Sequence, residues 1–272
     1  MKTKKVALGI FIFFALFVFI AVFLFYPDDL FSQSVMPQSK ENLAESDYLT
    51  RSESDASTIL KYPLITTLGL LPHSTKIGEG RTQGNAGVFL TRDGKDNLFS
   101  VSDETVAVLE GSDFHNGTIE VELKGLVSNR TSIINRFFSR GFVGICFRID
   151  DAVSAYECLY LRPENGFSDD PIRRMHAVQY ISVPNWGFAQ LRDESPGRYE
   201  NPAPIHADTW HKLRIEVLNA QARLFIDDSL EPVLQVDDLK LGANRHGKIG
   251  LWVGLGSDAF FRNLTITKTK EN

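Results

Sequence analysis

The sequence predicts an all-β fold, an antiparallel sandwich or barrel, behind one N-terminal transmembrane helix. Three observations carry that expectation. Apolar and polar residues alternate with period two in several separate segments, turn-forming residues punctuate the intervals, and one unbroken apolar run lies near the N-terminus. No segment sustains a helical period, so many short strands joined by polar turns are the simplest reading.

The apolar run comes first along the chain. Lys2, Lys4 and Lys5 precede Val6–Tyr26, which is rich in Phe, Ile, Leu and Val. A helix rising about 1.5 Å per residue over that length matches the roughly 30 Å hydrocarbon core. The basic flank belongs on the cytoplasmic side, and Pro27-Asp28-Asp29 marks the exit from the bilayer. A cleaved signal peptide has a shorter apolar region, about 7–15 residues, ending in small residues. Here the run ends Ala21-Val22-Phe23-Leu24-Phe25-Tyr26, and no cysteine lies nearby to accept a lipid. Residues 1–26 are therefore expected to be a cytoplasmic tip and retained signal anchor. That makes a single-pass protein of the cytoplasmic membrane with its C-terminal domain extracytoplasmic. Residues 27–61, rich in Ser, Glu, Asp, Gln and Asn, read as a polar stalk with room for a short helix over 46–61. Residues 62–272 remain as one domain, a common size for an all-β fold.

The formal charge is −5, with no basic run beyond the first five residues. Nucleic acid is excluded as a partner, because phosphate binding needs a clustered basic face. A mixed surface of this kind suits a neutral ligand.

Within the domain, Thr118–Lys124, Lys212–Val217 and Lys248–Gly254 alternate without a fault, as half-buried antiparallel strands do. Arg92-Asp93-Gly94-Lys95, Glu164-Asn165-Gly166 and Asp227-Asp228-Ser229 supply turns. Two strands pair with a definite register. Gly141–Ile149 and Tyr156–Arg162 flank the polar turn at Asp150-Asp151, which sets Arg148 opposite Tyr156, Cys146 opposite Cys158 and Gly144 opposite Tyr160. Val143, Ile145, Phe147, Leu159 and Leu161 then share the core side. Cys146, Arg148, Tyr156, Cys158, Tyr160 and Arg162 share the other, which is too polar for a core and too aromatic for plain solvent. That second side reads as a binding face. Opposed residues of such a pair have Cβ atoms about 4.5–5.5 Å apart, against about 3.8 Å in a relaxed disulfide. The two cysteines are thus either bridged or packed as small apolar thiols. In both cases their Cα atoms should lie within about 6.5 Å.

The strings DFHNGTIEVELKG (113–125), GFVGICFRID (141–150), AYECLYLRPENG (155–166), HAVQYISVPNW (176–186), SPGRYE (195–200), TWHKLRIEV (209–217) and GKIGLWVG (247–254) resemble the concanavalin A-like lectin/glucanase superfamily. The likeness is nearest to laminin G-like modules and the 3-keto-disaccharide hydrolase family, and it covers residues 100–266. It implies a two-sheet antiparallel jelly-roll sandwich. Activity does not follow, since this fold hosts lectins, binding modules, glucanases and scaffolds alike.

The laminarinase-type members carry Glu-x-Asp-x-x-Glu on one strand, which supplies nucleophile and general acid from one face. Glu-x-Asp occurs here at Glu45/Asp47 and Glu53/Asp55, in the stalk, with Thr50 and Thr58 where the second Glu belongs. That mechanism is not encoded. The resemblance to 3-keto-disaccharide hydrolases instead points to Glu157 and His176 as general acid and base. Their structural alternatives are a carboxylate paired with Arg148 or Arg162, and a loop-edge histidine bonded to backbone.

Sugar binding requires rings beside planar hydrogen-bonding groups. Tyr156, Tyr160, Trp186, Tyr199 and Trp252 supply rings; Arg148, Arg162, Gln179 and Arg192 supply donors. Trp252 lies between Gly250 and Gly254, which leaves its ring uncovered unless a loop packs over it. Trp252→Ala and Arg148→Ala are expected to weaken binding and spare the fold. No zinc pattern is present, and no cofactor is expected. The pairs Asp150/Asp151, Asp169/Asp170, Asp227/Asp228 and Asp237/Asp238 sit in turns, where Asp bonds locally; a structural Ca²⁺ at one of them stays open. Three functions follow in order: a membrane-anchored module binding a glycan or small saccharide, a 3-keto-glycoside hydrolase or lyase, and a protein–protein adhesion or scaffold module.

Overall fold

A computed structural model describes residues 48–54, 56–93 and 105–270. The anchor expected over residues 1–26 lies outside them, as do Gly94 and Lys95 of one expected turn. Among the described residues no helix is long and apolar enough to cross a membrane. Strands follow in chain order as β1 Thr50–Glu53, β2 Ser57–Tyr62, β3 Leu70–His73, β4 Thr75–Thr82, β5 Asn85–Arg92, β6 Val106–Leu109, β7 Gly117–Val127 and β8 Val143–Ile149. They continue as β9 Tyr156–Leu161, β10 Val178–Val183, β11 Glu200–Asn201, β12 His211–Leu218, β13 Gln221–Ile226, β14 Leu234–Val236, β15 Lys248–Val253 and β16 Ser257–Thr269.

These strands form two antiparallel sheets. One runs β1-β2-β16-β7-β12-β13-β14, with the β4–β5 hairpin added through β5 to β16; the other runs β11-β10-β9-β8-β15-β6-β3. The alternation read in the sequence is realised on β7, where Ile119, Val121 and Leu123 are buried, and on β12, where Leu213, Ile215 and Val217 are. Ile145, Leu159 and Leu251 on the second sheet join the same buried cluster. Each such side chain contributes about 1.5–3 kcal/mol by leaving water. That cluster runs from Leu60 to Ile266, so one core serves the whole described domain.

The strand β16 is the spine of the larger sheet. Along one edge it pairs with β7 over nearly its whole length. Along the other it pairs first with β5, through Asp258–Phe261, and then with β2, through Leu264–Thr269. The changeover coincides with a register break after Arg262 and a left-handed Asn263 at φ 54°.

Three features depart from the sequence reading. First, β1 and β2 lie inside the segment expected to be stalk or short helix. Ser57–Tyr62 carries Thr58, Ile59 and Tyr62, good strand formers, and pairs with β1 on one side and on the other with β16, more than two hundred residues later. Second, β8 carries a bulge. Lys248 pairs with Ile149 and Gly250 with Cys146, so three steps along β8 match two along β15, and Arg148 sits at φ 55°. Third, short helices occur where no helical period was evident: α1 Ile133–Phe138, α2 Pro171–Arg174 and α3 Phe188–Glu194. The side chains of Ser132 and Asp170 cap the first two, each accepting from backbone N–H groups of the opening turn.

From Val143 to Phe147 the β8–β9 register is as expected, with Cys146 opposite Cys158 and Gly144 opposite Tyr160; the ladder stops before the bulged Arg148, which was expected opposite Tyr156. The cysteines form a disulfide with Cα atoms 4.1 Å apart. Gly144 permits the close fit at this pair, because a Cβ there would stand 2.4 Å from the Cβ of Tyr160.

Candidate functional site

The expected ligand residues fall into three separate places. Arg148 and Tyr156 belong to the interior, both fully buried. The bulge turns Arg148 away from the face assigned to it. Its guanidinium donates to His115 O (3.0 and 3.2 Å), Asn219 O (2.7 Å) and Gly242 O (2.9 Å), tying three loops to β8. The expectation that Arg148→Ala spares the fold is therefore overturned. Arg148 is a brace.

Glu157 lies beside this brace and is also buried. It accepts hydrogen bonds from the Tyr180 hydroxyl and from Leu241 N–H (2.8 Å), while Lys240 N–H donates to the same hydroxyl (2.9 Å). Burial raises the Glu157 carboxyl above the usual range, and those two donors and Arg148 only partly offset it. Tyr180 is pushed upward by burial and then by Glu157, so it stays a neutral donor. The folded state consequently holds the Glu157 proton more tightly than the unfolded chain does. This contribution to stability is fully present below about pH 4 and is lost as pH rises through the folded value. Glu157→Gln should flatten the stability profile above pH 4, measured by urea unfolding at a series of pH values. A profile with the same slope in both proteins would place the titration elsewhere.

His176 is far from this carboxylate. Ser182 pairs with Glu157 and Val178 with Leu161, so Glu157 lies opposite one end of β10 and His176 precedes the other. At about 3.3 Å per strand residue, Ser182 and Val178 alone are about 13 Å apart. The two groups do not meet on one substrate atom, and the acid–base pairing expected of them has no geometric basis.

The second place is built around Glu200, on the edge strand β11 opposite Gln179. Its buried carboxylate receives Arg192 through Nε (2.8 Å) and Nη2 (2.5 Å), with Arg162 Nη1 at 3.6 Å and His176 Nε2 at 3.2 Å. Arg162 also donates to the Tyr160 hydroxyl (2.8 Å). The ring of Phe188, at the start of α3 and 41 % exposed, has the guanidiniums of Arg162 and Arg192 5.4 and 5.5 Å from its centroid. Gln179 donates to Tyr180 O and Tyr199 O, and its own Oε1 is buried with no hydrogen-bond partner among the described residues.

The charges here do not cancel. Glu200 raises Arg192 mainly through its hydrogen bonds. His176 goes the other way, because burial lowers it and Arg192 and Arg162 add to that, so that the help from Glu200 only partly offsets the shift. At neutral pH the imidazole is uncharged, and two guanidiniums face one carboxylate.

Tyr160 continues this face inward, with the Trp252 ring 4.8 Å and the Phe142 ring 6.2 Å away. Trp252 is only 5 % exposed, so it is not the uncovered platform the flanking glycines suggested. Those glycines serve packing instead: a Cβ on Gly254 would stand 2.6 Å from Phe142 and 2.8 Å from Trp252.

Trp186 and Tyr199 form the third place, with Lys240 and Asp238. Lys240 Nζ bonds the Tyr199 hydroxyl (2.7 Å) and Asp238 (2.8 Å) and lies 4.7 and 4.8 Å over the Trp186 and Tyr199 rings. A cation therefore already occupies these ring faces.

Asp members of the expected turns are engaged locally. Asp150 binds Ser154, Asp170 caps α2, Asp227 binds His211, and Asp237 accepts from Gln235. Among the described residues no three metal-ligating side chains converge.

Sequence reasoning missed Glu200 and Phe188. Glu200 pairs across strands with Gln179, which no local period reveals. Phe188 did carry a signal, since Phe188 and Leu191 are spaced three apart on one face of α3.

No protein-family model and no curated protein matches the chain. Among solved structures it is similar to a carbohydrate-binding module, CBM66, of Bacillus subtilis, at 15 % identity and TM-score 0.46 over 72 % of this chain and 96 % of that one. It is likewise similar to a Bacillus subtilis protein of unknown function with a galectin-like fold, at 13 % identity and TM-score 0.47 over 82 % of this chain and 100 % of that one. A third is a putative glycosyl hydrolase of Parabacteroides distasonis, at 12 % identity and TM-score 0.44 over 78 % and 94 %. At these identities no ligand or residue role carries over to this chain.

Proposed function

We propose that this chain is a membrane-tethered, extracytoplasmic carbohydrate-binding module that holds an acidic saccharide at the Phe188–Arg192–His176 corner of its smaller sheet. The carrying observation is the buried Glu200 carboxylate, which fixes two guanidiniums and an imidazole beside an exposed aromatic ring. Phe188 offers a face for the C–H side of a pyranose, Arg192 is a partly exposed donor beside it, and the neutral His176, with its Nε2–H directed at Glu200, offers Nδ1 as an acceptor. Two guanidiniums about one carboxylate leave a net positive charge, which favours a sugar carrying a carboxylate or sulfate met by the partly exposed Arg192. The tether rests on the basic flank and apolar run of residues 2–26.

A glycan array followed by titration calorimetry on residues 43–272 tests this. Uronate-bearing or sulfated glycans should bind ahead of neutral ones. Phe188→Ala and Arg192→Ala should each weaken binding about tenfold, equivalent to about 1.4 kcal/mol. Unfolding measured alongside separates lost contacts from a lost fold. Undiminished binding in both well-folded variants would remove this corner as the site.

A further inference from the structure

Beside the Glu200 corner, two loops cross and hold an exposed pair of rings. Phe167, on the loop after β9, is 59 % exposed, and its ring stacks on that of the exposed His206 with centroids 4.1 Å apart and planes 11° apart. The crossing is fixed at Gly166, where a Cβ would stand 2.0 Å from Ile205 O, so only glycine lets the two backbones meet there. Arg173 on α2 steadies the same loop by donating to Asn165 Oδ1 (3.1 Å) and Glu164 O (3.2 Å).

Both loops start at the corner. Asn165 Nδ2 and Arg162 Nη1 donate to His176 O (3.0 and 3.3 Å), and the His176 imidazole is itself 3.2 Å from Glu200. On the other loop, residues 200–206 run out from Glu200 with Ala203 and Ile205 buried and Pro202, Pro204 and His206 exposed. At a full extension of about 3.6 Å per residue, His206 stands within about 22 Å of Glu200, a reach that a short oligosaccharide can bridge. The two places differ in charge. The corner is positive overall, whereas Phe167 has the exposed acids Glu164 and Asp169 close to it in the chain.

We infer that the ligand is a mixed oligosaccharide, with its acidic residue at the Phe188–Arg192 corner and a neutral pyranose of the same chain on the Phe167–His206 platform; this rests on the corner reading above. The open part of the Phe167 ring takes the C–H side of a sugar, as aromatic faces do. The imidazole nitrogens of His206 make no hydrogen bond or ion pair among the described residues, which leaves them for sugar hydroxyls at the edge of the stack. A second carboxylate on the platform would lie near Glu164 and Asp169, and like charges disfavour it. A neutral ring meets no such repulsion.

The test uses residues 43–272, which contain the entire buried core cluster, in titration calorimetry with three probes. These are glucuronic acid, a hyaluronan hexasaccharide in which glucuronate alternates with a neutral N-acetylhexosamine, and a galacturonate hexamer with a carboxylate on every ring. The hyaluronan probe should bind at least about tenfold tighter than glucuronic acid, and tighter than the galacturonate hexamer. Phe167→Ala and Phe167→Leu should shrink that tenfold ratio to about threefold or less, and Phe167→Tyr should keep it, because the sugar meets a ring face and not apolar bulk. Phe167 is at the surface, and unchanged unfolding midpoints would confirm intact folds. Equal affinity for glucuronic acid and the hyaluronan probe would overturn the inference and leave the corner standing. So would a ratio that Phe167→Leu preserves. A galacturonate hexamer bound more tightly than hyaluronan, with the excess lost in Phe167→Ala, would overturn the neutral assignment of the platform. Binding undiminished by both Phe188→Ala and Arg192→Ala, or no binding of any probe, would overturn the corner reading and this inference with it.

Discussion

Arg148→Ala should destabilise the domain by about 3–4 kcal/mol, the largest effect expected of any single surface-like charge in the sequence. A charge-assisted hydrogen bond is worth about 1.5–3 kcal/mol. Arg148 makes four contacts to three carbonyls, but those of Asn219 and Gly242 lie in loops that regain some water when the guanidinium goes. A void left by the fully buried side chain adds to the cost. Arg148→Lys should recover less than half, since a single ammonium on a shorter stem cannot span His115, Asn219 and Gly242 at once. Urea unfolding of both variants decides the matter. A midpoint within error of the wild type for Arg148→Ala would show that the three loops hold without the brace.

Removal of the Cys146–Cys158 bridge should cost about 2–3 kcal/mol. The cysteines are 12 residues apart, and closing a loop of that order is worth about 3 kcal/mol in the chain-entropy account. Cys146→Ala/Cys158→Ala should therefore unfold at lower denaturant than the oxidised wild type, and wild type equilibrated with reductant should unfold close to the double variant. Both sulfurs are buried mid-sheet, so reduction should follow opening of the fold rather than precede it. Coincident midpoints for oxidised and reduced wild type would show that the bridge contributes nothing. An oxidising compartment, as the proposed location supplies, is the setting in which such a bond persists.

The parts of this fold legible in the sequence are those decided locally. The alternation on β7 and β12 announces their buried sides, and the short polar turn at Asp150 fixes the pairing of Cys146 with Cys158, whereas β15, read as half-buried, is buried on both faces. The reading fails where an extra residue breaks the alternation. One bulge at Arg148 inverts its side, and nothing within β8 signals that carbonyls from residues 115, 219 and 242 will meet there. The same limit applies to β2, whose partner is the last strand, and to Glu200, whose ligands come from three other segments. In the candidate site, Arg162, Gln179 and Arg192 were identifiable individually as planar donors. Their assembly on one carboxylate, and the separation of Glu157 from His176, depend on which strands pair, which period-two counting does not contain.

The placement of β16 has a consequence for the timing of synthesis. The chain is made from its N-terminus, yet the strand that joins β2 to β7, and β5 to both, is the last to be made. Until Ser257–Thr269 emerges, β7 lacks one neighbour and the first two hairpins have no sheet to join. An incomplete chain thus presents several open strand edges, the form in which β proteins pair wrongly with one another. Completion of the thirteen residues of β16 closes them together. A premature stop near Gly256 would remove the seam that unites both halves of the larger sheet, leaving separate hairpins instead of a slightly shortened domain.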